Sequence, residues 1–204
     1  MIERLLAFVL IVLLSPLLTV LSLVIIVIDG WPFWYLQKRV GYREKIFVMW
    51  KFRTMVLNAD DLKNNIVKQN EVDGPVFKIR NDPRFTKTGK FLSHTGIDEL
   101  LQLFNILFAD MSFVGPRPLP VGESLLIPKN YRSRFEVLPG IISPWIFSGY
   151  HSLGFEKWMK SDVDYVKNKN YINDSKLLFK AVISIVRMLT TEIIDTLTRC
   201  KINV

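Results

Sequence analysis

The stretch LLAFVLIVLLSPLLTVLSLVIIVI, Leu5 to Ile28, decides the fold. It holds no charged residue, and only Ser15, Pro16, Thr19 and Ser22 interrupt its apolar run. About 20 apolar residues suffice to cross the hydrocarbon core of a bilayer, so the segment is long enough to be a membrane element. A cleaved signal peptide fits poorly. Glu3 balances Arg4 ahead of the run, and Asp29-Gly30-Trp31-Pro32 follows it instead of a small-residue cleavage site. We therefore read a retained anchor. Near its middle, Pro16 removes a backbone donor and crowds the preceding turn, while the Ser15 hydroxyl can satisfy the carbonyl left free. Such a helix either spans with a kink or bends back as a re-entrant hairpin. Arg4 on one flank and Lys38, Arg39, Arg43 and Lys45 on the other leave both courses open. Trp31, Phe33, Trp34 and Tyr35 are placed to form an interfacial aromatic belt.

Composition bounds the rest. The 204 residues suit one domain with an ample core, half of them being apolar. A net charge of +8 favours a polyanionic partner: nucleic acid, anionic headgroups or a phosphorylated substrate. Cys200 is the only cysteine and His94 and His151 are the only histidines, which excludes an intramolecular disulfide and argues against a zinc cluster. A reducing, cytosol-facing protein is expected.

Beyond the anchor, Lys45 to Met55 reads as a strand from which Lys51 and Arg53 project. Asn58 to Asp73 reads as a solvated helix or loop, Gly74-Pro75 punctuates it, and Asn81-Asp82-Pro83 signals a turn. Asp98 to Phe108 carries the broad apolar face of a buried helix. Thr95 is the expected N-cap, which puts Asp98 and Glu99 in the first turn, where the helix dipole favours negative charge. Capping alone accounts for two such acids. Leu177 to Leu189, interrupted by Lys180 and Arg187, fits a helix in the membrane interface or one packed on the soluble core.

Chemistry enters with Asp110-Met111-Ser112-Phe113-Val114-Gly115-Pro116-Arg117-Pro118, a rigid turn that carries one arginine between two prolines. Lys51, Arg53, Arg84 and Arg117 are the candidate anion-binding residues. An aspartate can serve as a covalent nucleophile toward phosphorus, and a neighbouring acid can hold Mg²⁺ or manage a proton. That assigns Asp98 and Glu99 as candidate catalytic residues and as candidate metal ligands.

These residues fall in an ordered set: Lys38-Arg39-Val40-Gly41, Trp50-Lys51-Phe52-Arg53-Thr54-Met55, Asp82 to Leu92, Asp98-Glu99-Leu100, Gln102-Leu103-Phe104-Asn105, Asp110 to Pro118, Pro139-Gly140-Ile141, Ser148-Gly149 and Asp162-Val163-Asp164-Tyr165-Val166. The set resembles the bacterial sugar transferases known as monotopic phosphoglycosyl transferases, of the small single-domain kind. The resemblance implies a mostly α member of the α/β class. It would be a membrane-embedded monotopic domain with an N-terminal Ser15-Pro16-broken re-entrant helix and interfacial amphipathic helices. Residues 1–30 would be the re-entrant helix and 31–204 a cytoplasmic-face catalytic domain forming one unit with it, on the bacterial inner membrane. The implied reaction moves a sugar-1-phosphate from a UDP-sugar to undecaprenyl phosphate, with Mg²⁺, and releases UMP. Asp98 would be the nucleophile through an aspartyl phosphosugar, Glu99 its assistant, and Lys51, Arg53, Arg84, Gln102 and Arg117 the substrate-binding set. Partners would be the two substrates and membrane lipids, with no nucleic acid.

The chain departs from the family pattern at several points. Ser93, followed by His94, stands where an arginine is usual; Thr95-Gly96-Ile97 replaces Thr-Ser-Leu; Leu101 replaces a proline. Ile142, Ser143, Pro144, Ile146, Phe147 and Tyr150 differ in the segment after Pro139-Gly140-Ile141. His94 could replace the missing cation, although a lone histidine is more often a packed or solvated residue than a ligand. Two other classes compete with the enzyme: a weakened relative that binds polyprenyl phosphate or scaffolds a glycan-assembly complex, and a basic membrane-surface module.

Overall fold

The computed structural model describes residues 1–71, 73–77, 79, 81–144 and 154–202, with backbone alone at 192–193 and 195–202. Ile146, Phe147, Ser148, Gly149, Tyr150 and His151, marked in the sequence, lie outside the described residues.

Helix α1 runs from Ile2 to Asp29. Its 28 residues give about 42 Å of helix, and it is the one element among the described residues long and apolar enough to cross a membrane. It continues through Pro16, where the Val12 carbonyl has lost its proline donor. The Ser15 hydroxyl donates to that carbonyl at 2.8 Å, and Thr19 repeats the device on Ser15 at 2.9 Å.

One stripe of α1, Ala7, Leu10, Ile11, Leu14, Leu18, Leu21 and Ile25, recurs every three or four residues and packs on the rest of the chain. Val9, Val12, Leu13, Leu17, Val20, Leu23, Val24 and Val27 stay exposed. Polar contacts fasten both ends to the same body. Ser112 Oγ donates to Glu3 at 2.8 Å and Arg4 Nε to the Leu107 carbonyl at 2.9 Å. At the far end Asp29 accepts from the Lys87 amide at 3.1 Å and from the Thr88 hydroxyl.

Strands β1 (Trp34–Val40) and β2 (Ile46–Phe52) form an antiparallel hairpin with Tyr35 opposite Lys51, and β2 is the strand expected within Lys45–Met55. Helices α2 (Ala59–Ile66), α3 (Gly89–Thr95) and α4 (Gln102–Leu107) follow. Next come β3 (Ser112–Val114), β4 (Leu119–Pro120) and α5 (Val121–Leu125). After β5 (Gly140–Ile142) the chain closes with α6 (Phe155–Lys167) and α7 (Tyr171–Ile202). The first sheet has the order β2-β1-β4, and β3 pairs with β5 in parallel. Gly115 and Gly140 let those two backbones cross, since a Cβ on Gly140 would lie 2.0 Å from the Gly115 nitrogen.

Strand β2 is an edge strand of its sheet, and Asn105 covers that edge. Its side-chain oxygen accepts from the Trp50 amide at 3.0 Å and its amide donates to the Val48 carbonyl at 2.7 Å. One fully buried asparagine thus stands in for a further strand and locks β2 against α4.

The core has three parts. Met49, Leu103, Ile106 and Met111 surround Ala7 under the first half of α1, and Phe52, Leu92 and Leu101 meet Leu18 and Ile25 under the second. Leu101, where the family pattern has proline, fills that second cluster. The third joins Val40, Leu119 and Ile127 to Phe135, Trp158 and Met159. The C-terminal helix α7 leaves Phe179, Val182, Ile185 and Val186 exposed.

Candidate active site

Thr95 does not cap the acidic segment. It is the last residue of α3, is buried, and turns its hydroxyl back to the Phe91 and Leu92 carbonyls at 2.8 and 3.2 Å. The break falls on Gly96, whose φ of 74° is a left-handed conformation that glycine adopts without a Cβ penalty. A 3-10 helix, Ile97–Leu101, starts there, and the Glu99 amide donates to the Gly96 carbonyl at 3.1 Å. Asp98 and Glu99 are therefore in a first turn, as the sequence indicates, but of a tight helix that rolls directly into α4.

Lys51 reaches both acids from β2. Its Nζ lies 3.3 Å from Asp98 Oδ2 and 2.7 Å from Glu99 Oε1. Arg117 Nη2 reaches the same Glu99 oxygen at 2.7 Å. Four residues separated by up to 66 positions meet at one point. Burial pushes Glu99 up, yet Arg117 and Lys51 outweigh it and hold the carboxyl below the ordinary carboxylate range. Asp98 goes the other way: burial first, and the Glu99 charge beside it, raise it despite Lys51. The paired environments thus separate the two acids, leaving Glu99 firmly anionic and Asp98 the readier to carry a proton.

The Pro116-Arg117-Pro118 turn is held by two other arginines. Arg134 Nη2 donates to the Arg117 carbonyl at 2.8 Å and Arg39 Nη1 to the Pro118 carbonyl at 2.9 Å. Arg134 is itself buried and paired with Asp162 at 2.8 Å. Burial pushes Asp162 up to about 6 although Arg134 opposes it.

Of the other sequence candidates, Arg53 donates to the Asp29 carbonyl at 2.8 Å and to the Gly30 carbonyl, where a cation meets the last carbonyls of α1. Arg84 forms a two-pronged pair with Asp82 at 2.9 and 2.7 Å and donates to the Ala59 carbonyl at 3.0 Å. Both guanidiniums are occupied away from Asp98 and Glu99, and Arg84 is not among the charges that act on either acid. Gln102 is buried one residue past the acid-bearing helix. His94 packs edge-on against Phe85, ring centroids 6.0 Å apart. Reading the sequence for charged residues near the acids missed Arg39, Asn105, Arg134 and Asp162. The signal that could have found them is their membership of the ordered motifs (Asn105, Arg39, Asp162), while Arg134 lies in none.

Comparison with known proteins decides the family. The chain matches the family described as bacterial sugar transferase over residues 1–188. The chain belongs to that family. Lys51, Asp98, Glu99 and Arg117 all fall within the match. The chain is 38% identical over 151 residues to the galactosyl transferase CpsE of Streptococcus agalactiae serotype III, covering 74% of this chain and 34% of that protein. To the undecaprenyl-phosphate galactose phosphotransferase of Salmonella typhimurium it is 36% identical over 163 residues, 78% of this chain and 34% of the relative. The exopolysaccharide production protein ExoY of Sinorhizobium fredii is 31% identical over 184 residues, and here the match covers 88% of this chain and 81% of the other. The chain thus spans about a third of the length of the first two relatives and most of the third.

A divalent cation suits the acid pair. The contacts described take Asp98 Oδ2 and Glu99 Oε1, which leaves Asp98 Oδ1 and Glu99 Oε2 outside them. Among the described residues no group of three or more His, Cys, Asp and Glu forms a metal cluster. Mg²⁺ typically binds one or two carboxylates and completes its shell with water and substrate phosphate, which this arrangement matches.

Proposed function

We propose that the protein transfers a sugar-1-phosphate from a UDP-sugar to undecaprenyl phosphate and releases UMP. The carrying observation is the convergence of Lys51, Asp98, Glu99 and Arg117, a buried carboxylate pair framed by cations. Its intactness favours an enzyme over a lipid-binding scaffold. The activity named for the Salmonella relative agrees with it.

In the first step an Asp98 carboxylate oxygen forms a bond to the β-phosphorus of the UDP-sugar. The bond from that phosphorus to the bridging oxygen breaks, and UMP leaves with the electron pair. In the second, a phosphate oxygen of the polyprenyl phosphate attacks the aspartyl-bound phosphorus. The aspartyl–phosphorus bond breaks, a lipid diphosphate sugar forms, and the carboxylate is restored. Asp98 must be anionic to attack, and Lys51 at 3.3 Å stabilises that form. Arg117 and Lys51 also supply positive charge where the transferring phosphoryl group spreads its negative charge. Glu99 fixes both cations through one oxygen. Mg²⁺, held by the remaining oxygens of Asp98 and Glu99, would neutralise diphosphate charge when bound.

The membrane arrangement is part of the same proposal. With Glu3, Arg4 and Asp29 all bonded to one body, α1 has both ends on one side and its apolar outer face in the bilayer, a monotopic course rather than a spanning one. The exposed apolar residues of α7 would lie in the interface, and the catalytic domain would face the cytoplasm of a bacterial inner membrane.

The test is UMP release by purified protein with Mg²⁺, undecaprenyl phosphate and a broad panel of UDP-sugars, with Asp98→Asn alongside. UMP is expected for at least one sugar, and none from the variant. No UMP above the variant's background with any sugar would sink the proposal. For topology, single cysteines at Ile2 and Lys45 in a Cys200→Ser background are expected to label from the same side; labelling from opposite sides overturns the monotopic course.

A further inference from the structure

Arg39 has no role in the chemistry above beyond bracing a turn, yet its surroundings are unlike those of the other buried arginines. Arg84 faces Asp82 at 2.7 Å and Arg134 faces Asp162 at 2.8 Å, so each has its countercharge. Arg53 rests on the carbonyl end of a 28-residue helix. Arg39 bonds only to neutral acceptors, the Pro118 carbonyl and the Gln37 side-chain oxygen, and its buried Nε has no hydrogen-bond partner among the described residues.

Its neighbours make the arrangement costlier. Burial first, and then repulsion from Arg117, lower its pKa to about 10, so it stays charged at neutral pH. Glu123 and Glu99 act on it only at longer range, and Glu123 is itself pushed up by burial. A largely enclosed guanidinium with no bonded countercharge, beside a second one, is unfavourable unless an anion completes it. Among the described residues no carboxylate bonds to Arg39, and Glu123 and Glu99 reach it through charge alone.

Resting on the proposed reaction, the geometry points to Arg39 as a substrate-binding residue, whose outer N–H groups not spent on Pro118 and Gln37 take a substrate phosphate oxygen beside Arg117. Arg39 then adds a third cation to the Arg117 and Lys51 that meet at Glu99. Because Arg39 also donates to the Pro118 carbonyl, the same guanidinium joins β1 to the turn that presents Arg117. The phosphate comes from the nucleotide diphosphate or from the lipid phosphate, and the two sources are separable by experiment.

The experiment measures, in detergent-solubilised full chain, the affinity for UDP and for UMP in an Asp98→Asn background, and the KM for undecaprenyl phosphate with Asp98 intact. Arg39→Gln and Arg39→Lys are compared with the parent, with melting temperatures recorded. Arg39→Gln is expected to weaken one arm by about 10- to 100-fold, the loss of a charge-assisted hydrogen bond, and Arg39→Lys to restore part of it. If the phosphate is the nucleotide's, the preference for UDP over UMP shrinks as well, which a purely structural defect would not do. If it is the lipid's, KM rises at unchanged UDP affinity. Unchanged values in both arms overturn the inference. Should Arg39→Gln fail to fold, Arg39→Lys decides alone, with an expected loss of a few-fold in one arm and no change as the overturning result. A parent that neither binds UDP nor releases UMP would instead sink the reaction on which this rests.

Discussion

Asp98 and Glu99 differ in protonation because their neighbours differ, and activity inherits the difference. On the proposed mechanism Asp98 must shed its proton to attack, and its raised pKa means it takes that proton up at a higher pH than an ordinary carboxyl, about 4. The acidic limb of kcat/KM therefore lies above that value, activity falling as pH drops through the raised pKa. Glu99, held down by Arg117 and Lys51, stays charged across the same window and adds no second limb. A pH–rate profile with its acidic limb at or below 4 would contradict this. Asn105 gives a second prediction. Asn105→Ala orphans the Trp50 amide and Val48 carbonyl, at a cost of about 2–4 kcal/mol, and lets Lys51 drift from the acids. Thermal melts in detergent are expected to fall, and UMP release below the melt to fall further than Lys51→Arg causes. The sequence marked Asp98, Glu99 and Lys51 by the charge on their side chains, and the structure brings the three together. At Arg53 and Arg84 the charge was visible but the partners were not: a helix end and an aspartate two residues back.

At the scale of elements, α6 reaches the site through a buried ion pair. Asp162→Ala leaves Arg134 charged and unpaired, which typically costs about 3–5 kcal/mol. Replacing both, Arg134→Met with Asp162→Leu, is expected to recover most of that stability. UMP release should not recover with it, because the double variant, unlike Asp162→Ala, has lost the donor to the Arg117 carbonyl. Recovery of both in parallel would reduce the pair to a packing role. Helix α1 offers a second comparison. Ala7 is wholly buried where α1 meets Leu103 and Ile106, so Ala7→Leu overpacks the crossing and destabilises by about 1–3 kcal/mol, whereas Leu13→Ala on the exposed face leaves the melt nearly unchanged. The existence of α1, β2 and the acid-bearing helix was readable from period and length. The end of α3 was not, because a threonine before an acidic turn looks the same whether it caps the next helix or closes the last; Gly96 was the better clue.

Over the whole molecule, the apolar run promised a membrane segment but left its course open, since positive charge flanks it on both sides. What the sequence alone lacked was contact over distance: Glu3 with Ser112, Arg4 with Leu107, Asp29 with Thr88. Those bonds also impose an order of events. During synthesis Leu5 to Ile28 is finished more than eighty residues before the Ser112 hydroxyl exists to receive Glu3. In the proposed membrane arrangement the newborn helix has lipid at hand before the residues that its inner stripe packs on are made. Its inner stripe first faces lipid, and docking of β2, α3 and α4 later trades lipid for protein along that stripe. On that proposal, entry into the membrane precedes completion of the fold.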